Sequence, residues 1–240
     1  SVGVDENFMD FFYTFTHNRN FMLSRLQLPL SVKNEEGEEL RVLRKLSDFD
    51  KEFLASAKDS YVLLLSDMSE LEADLSSTAR EAEVHVIDLN NNVFRLFGCV
   101  RKDDGWKVSS ESESPLSEHP NSSFWNFYHH FVQDSVYQVA HISQPLSISL
   151  PDEESEGELI EGNIDADQYV VFAPELPMSH VLMIHYSENA SVLISTHLIS
   201  DVEPVLNHVI FIKCGVSSSM MDILTFERAD GEWKLVKLEE

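Results

Sequence analysis

The sequence predicts an α+β fold made by tandem duplication, in which each half packs an N-terminal amphipathic helix on an antiparallel sheet. Three observations support this prediction. Two aromatic helices share the same spacing, each helix runs out before a proline, and each half closes on an Asp-Gly hairpin followed by Trp. The chain has 240 residues and 43% hydrophobic content, which is enough for two ordinary hydrophobic cores.

An aromatic helix opens each half. Residues 7–30 align with residues 123–146 without a gap. In both segments aromatic residues recur at i, i+3, i+4 and i+7, which places them on one face of a helix. Each of these faces needs a sheet to cover it. The matched residues are Phe8, Phe11, Phe12 and Phe15 in the first segment, and Phe124, Phe127, Tyr128 and Phe131 in the second.

Extended segments follow each helix. Pro29 and Pro145 stop the helical pattern and turn the chain into strands. An acidic turn then lies at residues 34–39 and at residues 152–158, and the extended sequence around each turn predicts a hairpin. Farther along, residues 61–65 and residues 169–173 are short apolar runs that begin with Tyr. We interpret each run as the core strand of its half.

The ends of the two halves match most clearly. Residues 96–108 parallel residues 224–235, and in both segments an Asp-Gly pair supplies the positive φ of a tight hairpin turn. Trp106 and Trp233 then begin the last strand of each half. Both halves are therefore expected to finish on the same two-stranded unit.

A stretch of Ser, Glu and Pro separates the copies. Residues 109–123 have no apolar periodicity, which predicts a solvated linker between a first domain at residues 1–108 and a second at residues 124–240. The second half has extra residues near 187–201, before its final hairpin. This insertion is long enough for a lid, a strand pair or an interface loop.

These patterns together resemble the cone-shaped fold of nuclear transport factor 2 and ketosteroid isomerase, in which a curved sheet wraps a long helix. The repeated aromatic helix with its Pro-Leu ending is also similar to an uncharacterised family of exported gut-bacterial proteins, domain of unknown function 4348, with two such cone-like domains. This resemblance implies a periplasmic protein or outer-membrane lipoprotein whose signal segment has been removed. It implies no activity, because one fold carries many functions.

Composition excludes several classes of function. The formal net charge of −25, from 42 acidic and 17 basic residues, repels phosphate backbones, so we expect no nucleic-acid partner. Gly is scarce, and no glycine-rich phosphate loop is present, so we expect no nucleotide or other cofactor. No apolar run reaches the length of about 20 residues that a transmembrane helix needs. The two cysteines and ten histidines show no ligand spacing, so we expect no metal site.

A pocket at the open end of a cone is the natural place for a ligand. The helix residues best able to hydrogen-bond or transfer a proton there are Tyr13 and His17 in the first copy, and Tyr128, His129 and His130 in the second. Core packing or surface exposure is the more common role for such residues. We therefore treat these five residues as weak candidates for ligand binding and assign no catalytic residue.

Two functions remain open from the sequence. The first is a non-catalytic envelope protein that binds a small ligand or a protein partner, with a homodimer through the sheet faces as a further possibility. The alternative is an isomerase- or dehydratase-type enzyme that uses a His/Asp/Tyr pocket in one cone. An open cavity with converging polar groups would favour the enzyme, and a cone filled by Phe and Trp would argue against it.

Overall fold

The computed structural model describes residues 7–49, 61–65, 79–152, 155, 158–187, 207–214 and 221–239. Within these residues each half contains an aromatic helix, two shorter helices and six strands in the same order. The first half consists of α1 (Phe8–His17), α2 (Arg19–Arg25), β1 (Leu30–Lys33), β2 (Glu39–Leu43), α3 (Leu46–Phe49), β3 (Tyr61–Leu65), β4 (Glu81–Asp88), β5 (Val93–Lys102) and β6 (Gly105–Pro115).

The second half repeats this order after a 3₁₀ turn at Leu116–Glu118. Its elements are α4 (Ser122–Gln133), α5 (Ser135–Ala140), β7 (Ile142–Pro151), β8 (Leu159–Ile164), α6 (Tyr169–Phe172), β9 (Ser179–Ser187), β10 (His208–Cys214), β11 (Met221–Ala229) and β12 (Glu232–Glu239). The sequence prediction of a duplicated α+β fold is confirmed.

The break between the two helices of each half is built in the same way. The side chain of Asn18 accepts a hydrogen bond from the backbone N–H of Phe21 at 3.0 Å, and thereby caps α2. At the matching position Asp134 accepts from the N–H groups of Val136 and Tyr137, and caps α5. These caps satisfy donors that the first helical turn leaves unpaired, and they fix the bend that follows each aromatic helix.

The twelve strands of the described residues join one sheet, in the order β2-β1-β6-β5-β4-β9-β3-β10-β11-β12-β7-β8. Each half has six strands, so a simple duplication would place β3 beside β4 and β9 beside β10. In the observed sheet, β4 lies beside β9 and β10 lies beside β3. Strand β9 pairs antiparallel with β4, with Glu83 opposite His185, and β3 pairs antiparallel with β10, with Leu63 opposite Ile212. The two halves have exchanged their third strands, and the exchanged strands meet in a parallel pair at the centre.

The core packing agrees with this exchange. Leu182 on β9 is fully buried in the hydrophobic cluster of the first half. Its neighbours Val181 and Met183 point to the other face of the strand and belong to the cluster of the second half. In return Ile87 and Phe94, on β4 and β5, pack into the second cluster. Each core therefore contains side chains from both halves of the chain.

The predicted hairpins are present. Strands β1 and β2 pair across the first acidic turn, and β7 and β8 pair across the second. At the ends of the halves, Gly105 has φ +108° and Gly231 has φ +86°, as tight hairpin turns require. The apolar run at residues 61–65 is strand β3, as predicted. The insertion predicted near residues 187–201 lies outside the described residues except for Ser187.

Two predictions about local structure were wrong. Residues 169–173 were expected to form a core strand, but Tyr169–Phe172 is a short helix and the strand is Ser179–Ser187. A short apolar run does not by itself distinguish a strand from a buried helical turn. Here Asp165 and Gln168 form a capping box, and this box starts the helical turn that leads into α6.

The second error concerns the linker. Residues 109–115 are not a solvated connector, because they continue β6 and pair along their length with β5. The Ser and Glu residues alternate with the period of a strand, and Arg41 lies 3.3 Å from the buried Glu111 and 3.2 Å from Glu113. Arg95 lies 2.8 Å from the same Glu113. These ion pairs take the place of the apolar contacts that the sequence pattern lacks.

Candidate functional site

The interior of the second cone is filled by aromatic side chains. Phe124 and Phe127 point from α4 towards the sheet, where their rings lie 5.1 Å from Trp233 and 5.7 Å from Phe226, respectively. Phe131, one turn farther along, lies 5.5 Å from Phe226. These ring separations are those of direct aromatic contact. All five side chains are at most 4% exposed, so helix and sheet touch across the space in which a cone-fold ligand would lie.

The first cone is filled in the same way. Phe8 contacts Trp106 at 5.0 Å between ring centroids, and Phe11 contacts the same indole at 6.3 Å. Phe15 packs edge-on against Phe49 of α3 at 6.0 Å. All of these side chains are fully buried. The aromatic helix face that the sequence predicts is therefore a packing surface in both halves.

Two tyrosines are buried in the second core. The Tyr128 hydroxyl donates a hydrogen bond to the carbonyl oxygen of Pro177 at 2.9 Å. Burial and the nearby Tyr169 raise the pKa of Tyr128 well above its ordinary value. Burial, with a contribution from Asp222, likewise raises the pKa of Tyr169. Both phenols therefore stay protonated at neutral pH and do not act as bases.

The five sequence-predicted candidates do not come together. Tyr13 and His17 stack on each other at 4.1 Å on the exposed side of α1, and a ring nitrogen of His17 lies 2.8 Å from the Tyr13 carbonyl oxygen. Tyr128 lies in the core. His130 is exposed, with its Nδ1 2.7 Å from the carbonyl oxygen of Asn126. His129 lines a cavity.

That cavity is a cleft of about 380 Å³ at the start of α4, outside the cone. Its walls come from three elements: the turn between β4 and β5, the 3₁₀ turn at Leu116–Glu118, and the first two turns of α4. The cleft lies where the two halves meet, which is a common position for ligand sites. It is lined by Asn92, Leu116, Ser117, Ser122, Ser123, Trp125, Asn126 and His129.

A buried histidine pair lies next to the cleft, where the ring of His119 is 6.2 Å from the ring of Trp125. The backbone N–H of Asn121 donates to Nδ1 of His119 at 3.0 Å, so His119 carries its proton on Nε2. The Nε2–H of His119 lies 3.1 Å from Nδ1 of His85, so Nδ1 of His85 accepts a hydrogen bond from it. The proton of His85 is therefore on its Nε2, which lies 3.5 Å from a carboxylate oxygen of Glu83. Burial, together with His85, lowers the pKa of His119 to about 2. Both rings are fixed in one tautomer.

Sequence reasoning missed this arrangement. His119 lies inside the predicted linker, and nothing in the sequence placed Asn92 or Ser117 near a helix. One signal was present, since the gapless alignment of the two helices matches Asn126 with Asp10 and His129 with Tyr13. These differences show where the second helix surface departs from the first. Within the described residues, no group of three or more His, Cys, Asp or Glu side chains is arranged to hold a metal ion.

Two helix-on-sheet cones, filled by aromatic side chains and joined in one sheet, make up a fold of the NTF2-like kind. A crystal structure of an NTF2-like protein from Bacteroides fragilis has this architecture, with a TM-score of 0.75 and 23% sequence identity over 99% of this chain and 97% of that one. The chain belongs to the family of the domain of unknown function DUF4348, whose model matches residues 1–240. No curated protein matches it. No helix in the described part of the chain is long and apolar enough to cross a membrane.

Proposed function

We propose that this protein is a non-catalytic binding protein of the bacterial cell envelope, and that it holds its ligand outside the two cones. The observation that carries the proposal is the aromatic filling of both cone interiors. A catalytic pocket of the cone type needs open space between helix and sheet, and here Phe124 and Trp233 are in contact across that space. The envelope location rests on the resemblance of the repeated helix to exported proteins.

The arrangement of polar groups argues in the same direction. An isomerase or dehydratase needs a base near neutral pKa and a donor that both face the reacting atoms. The Tyr128 hydroxyl donates a hydrogen bond to a backbone carbonyl, Tyr169 is fully buried, and His130 lies on the surface. His129 faces the outer cleft, whereas Tyr128 lies in the core. This separation favours binding over proton transfer.

Native mass spectrometry tests the proposal. We expect protein purified gently from its own source to carry a non-covalent adduct of defined mass that is released on unfolding. The released compound, returned to the protein, should be recovered unchanged. Conversion of that compound into an isomeric or dehydrated product would contradict a non-catalytic role, and bare protein under all mild conditions would contradict small-ligand binding.

Cell fractionation tests the envelope location separately. The full-length protein in its own cells should be found with periplasmic or membrane markers, and recovery with cytoplasmic enzymes would contradict that part of the proposal alone.

A further inference from the structure

We propose that the cleft at the start of α4 binds a small, uncharged, hydroxyl-rich molecule of the sugar class. The inference rests on the proposed binding function and gives it a site and a ligand chemistry. Its volume of about 380 Å³ falls at the lower end of the range of small-molecule sites, about 300–1,000 Å³. The ligand is therefore of the size of one or two sugar rings.

The chemistry of the lining selects the ligand class. Asn92 and Asn126 each offer an amide that donates and accepts, and three serine hydroxyls do both as well. The lining contains no Asp, Glu, Lys or Arg, although a quarter of the chain is charged. Sugar hydroxyls, which also donate and accept, match such a surface. An apolar ligand would leave these amides and hydroxyls without partners, at a cost in free energy.

An anion is a poor fit for the same cleft. Phosphate and carboxylate ligands are held most strongly by Arg or Lys, and the lining has neither. The net charge of −25 adds a long-range repulsion against any anionic ligand. Neutral ligands escape this repulsion.

Trp125 contributes a buried aromatic ring to the lining. Its side chain is fully buried and lines the cleft, and its indole N–H has no hydrogen-bond partner among the described residues. A buried donor left in this state costs about 1–3 kcal/mol. Trp125 and Leu116 also supply the apolar surface that the carbon face of a sugar ring needs.

The comparison of the two copies shows that this surface belongs to the second one. In the gapless alignment Met9, Asp10 and Tyr13 of α1 stand where α4 has Trp125, Asn126 and His129. Asp10 is ionisable, and its carboxylate accepts a hydrogen bond from the side chain of Asn7. The second copy has an uncharged amide at that position, inside a cleft to which the β4–β5 turn contributes a wall.

The walls of the cleft are held in place without a ligand. The backbone N–H of Leu116 donates to the carbonyl oxygen of Asn92 at 2.8 Å, which ties the two turns together. The indole N–H of Trp233 donates to the Ser123 hydroxyl at 3.2 Å. The backbone N–H of Asn121 donates to His119 and fixes the chain just before α4. A preformed site loses less conformational freedom on binding.

The test is ligand-observed NMR on the full chain. The probes are glucose, galactose, N-acetylglucosamine and lactose, with inorganic phosphate, glucuronate and benzoate as charged comparisons. We expect at least one neutral sugar to bind. Asn126→Asp, which puts the first copy's residue into the cleft, should weaken that binding about tenfold or more. Asn163→Asp makes the same chemical change on the exposed edge strand β8 and should leave binding unchanged.

Each result decides a definite point. Absence of sugar binding, or sugar binding that Asn126→Asp leaves intact, overturns the inference. If phosphate, glucuronate or benzoate binds and Asn126→Asp alters that binding, the ligand class is wrong while the binding function stands. If no probe binds and native mass spectra also show bare protein, the proposed function fails together with the inference.

Discussion

Replacement of Phe124 by Ala should destabilise the entire chain and not the second half alone. The ring of Phe124 is fully buried and lies within 5.1–6.1 Å of the rings of Trp125, Phe127, Tyr128, Phe226 and Trp233. Removal of a buried Phe costs about 3–5 kcal/mol through lost burial and the cavity left behind. For a chain of this length each kcal/mol lowers Tm by about 2–4 °C, so we expect a decrease of about 6–20 °C.

The assay is thermal unfolding followed by ¹⁹F NMR of protein labelled with fluorotryptophan. The chain has three tryptophans, of which Trp106 reports on the first core, whereas Trp125 and Trp233 report on the second. Because the strand exchange places Leu182 of the second half in the first core, all three signals should be lost in one transition.

Two controls make the result specific. Phe8→Ala is the equivalent change in the first core and should produce the same loss on all three signals. Tyr13 is 62% exposed, and Tyr13→Ala should change stability by less than about 0.5 kcal/mol. A Phe124→Ala protein in which Trp106 keeps its native signal after Trp125 and Trp233 have lost theirs would refute the reasoning.

Three further predictions follow from single contacts. Arg41→Met should cost about 3 kcal/mol in chemical denaturation, because it removes the guanidinium beside the buried Glu111, whereas Arg44→Met, on the exposed surface, should cost little. The pKa of His119 in the folded protein is lowered to about 2. Between about pH 6.5 and 2 the unfolded chain therefore binds one more proton at this site than the folded chain, and acid destabilises the fold. His119→Gln should reduce this loss of stability by up to about 1.4 kcal/mol per pH unit in that range. In a Cys214→Ser background, the buried Cys99 thiol, whose pKa is raised by burial and Glu83, should react with a disulfide reagent only on unfolding, and rapid labelling of native protein would contradict its placement.

The parts of the fold that the sequence predicts are those with local signals. The spacing of Phe124 and its neighbours marks a helix face, and Asp-Gly pairs mark hairpins, because both signals depend on residues close in sequence. The strand exchange has no local signal. Strands β3 and β9 are both apolar and either could pair with β4 or β10, so the choice depends on the packing of the whole sheet.

The candidate site was hard to predict for a related reason. His129 could be named because it lies on the aromatic helix, but the other walls of the cleft come from turns far away in sequence, at Asn92 and Ser117. Strand β6 was also missed beyond residue 108, because Glu111 and Glu113 are stabilised there by Arg41, some seventy residues earlier in the chain. The composition of a segment does not reveal that its acidic residues are paired with a basic residue on another strand of the sheet.

The exchange of β3 and β9 is the central structural claim, and cysteine cross-linking tests it most directly. In a protein with Cys99→Ala and Cys214→Ala, cysteines at positions 83 and 185 lie on directly opposed residues of β4 and β9, within reach of a disulfide. We expect Glu83→Cys/His185→Cys to form an intramolecular disulfide in the monomer. Leu63 is level with Leu182, which faces Val86, so Val86→Cys/Leu63→Cys would be opposed only if β3 lay beside β4, and we expect it not to cross-link. Efficient cross-linking of positions 86 and 63 within one chain, with none between 83 and 185, would show that each half keeps its own strand and would contradict the account.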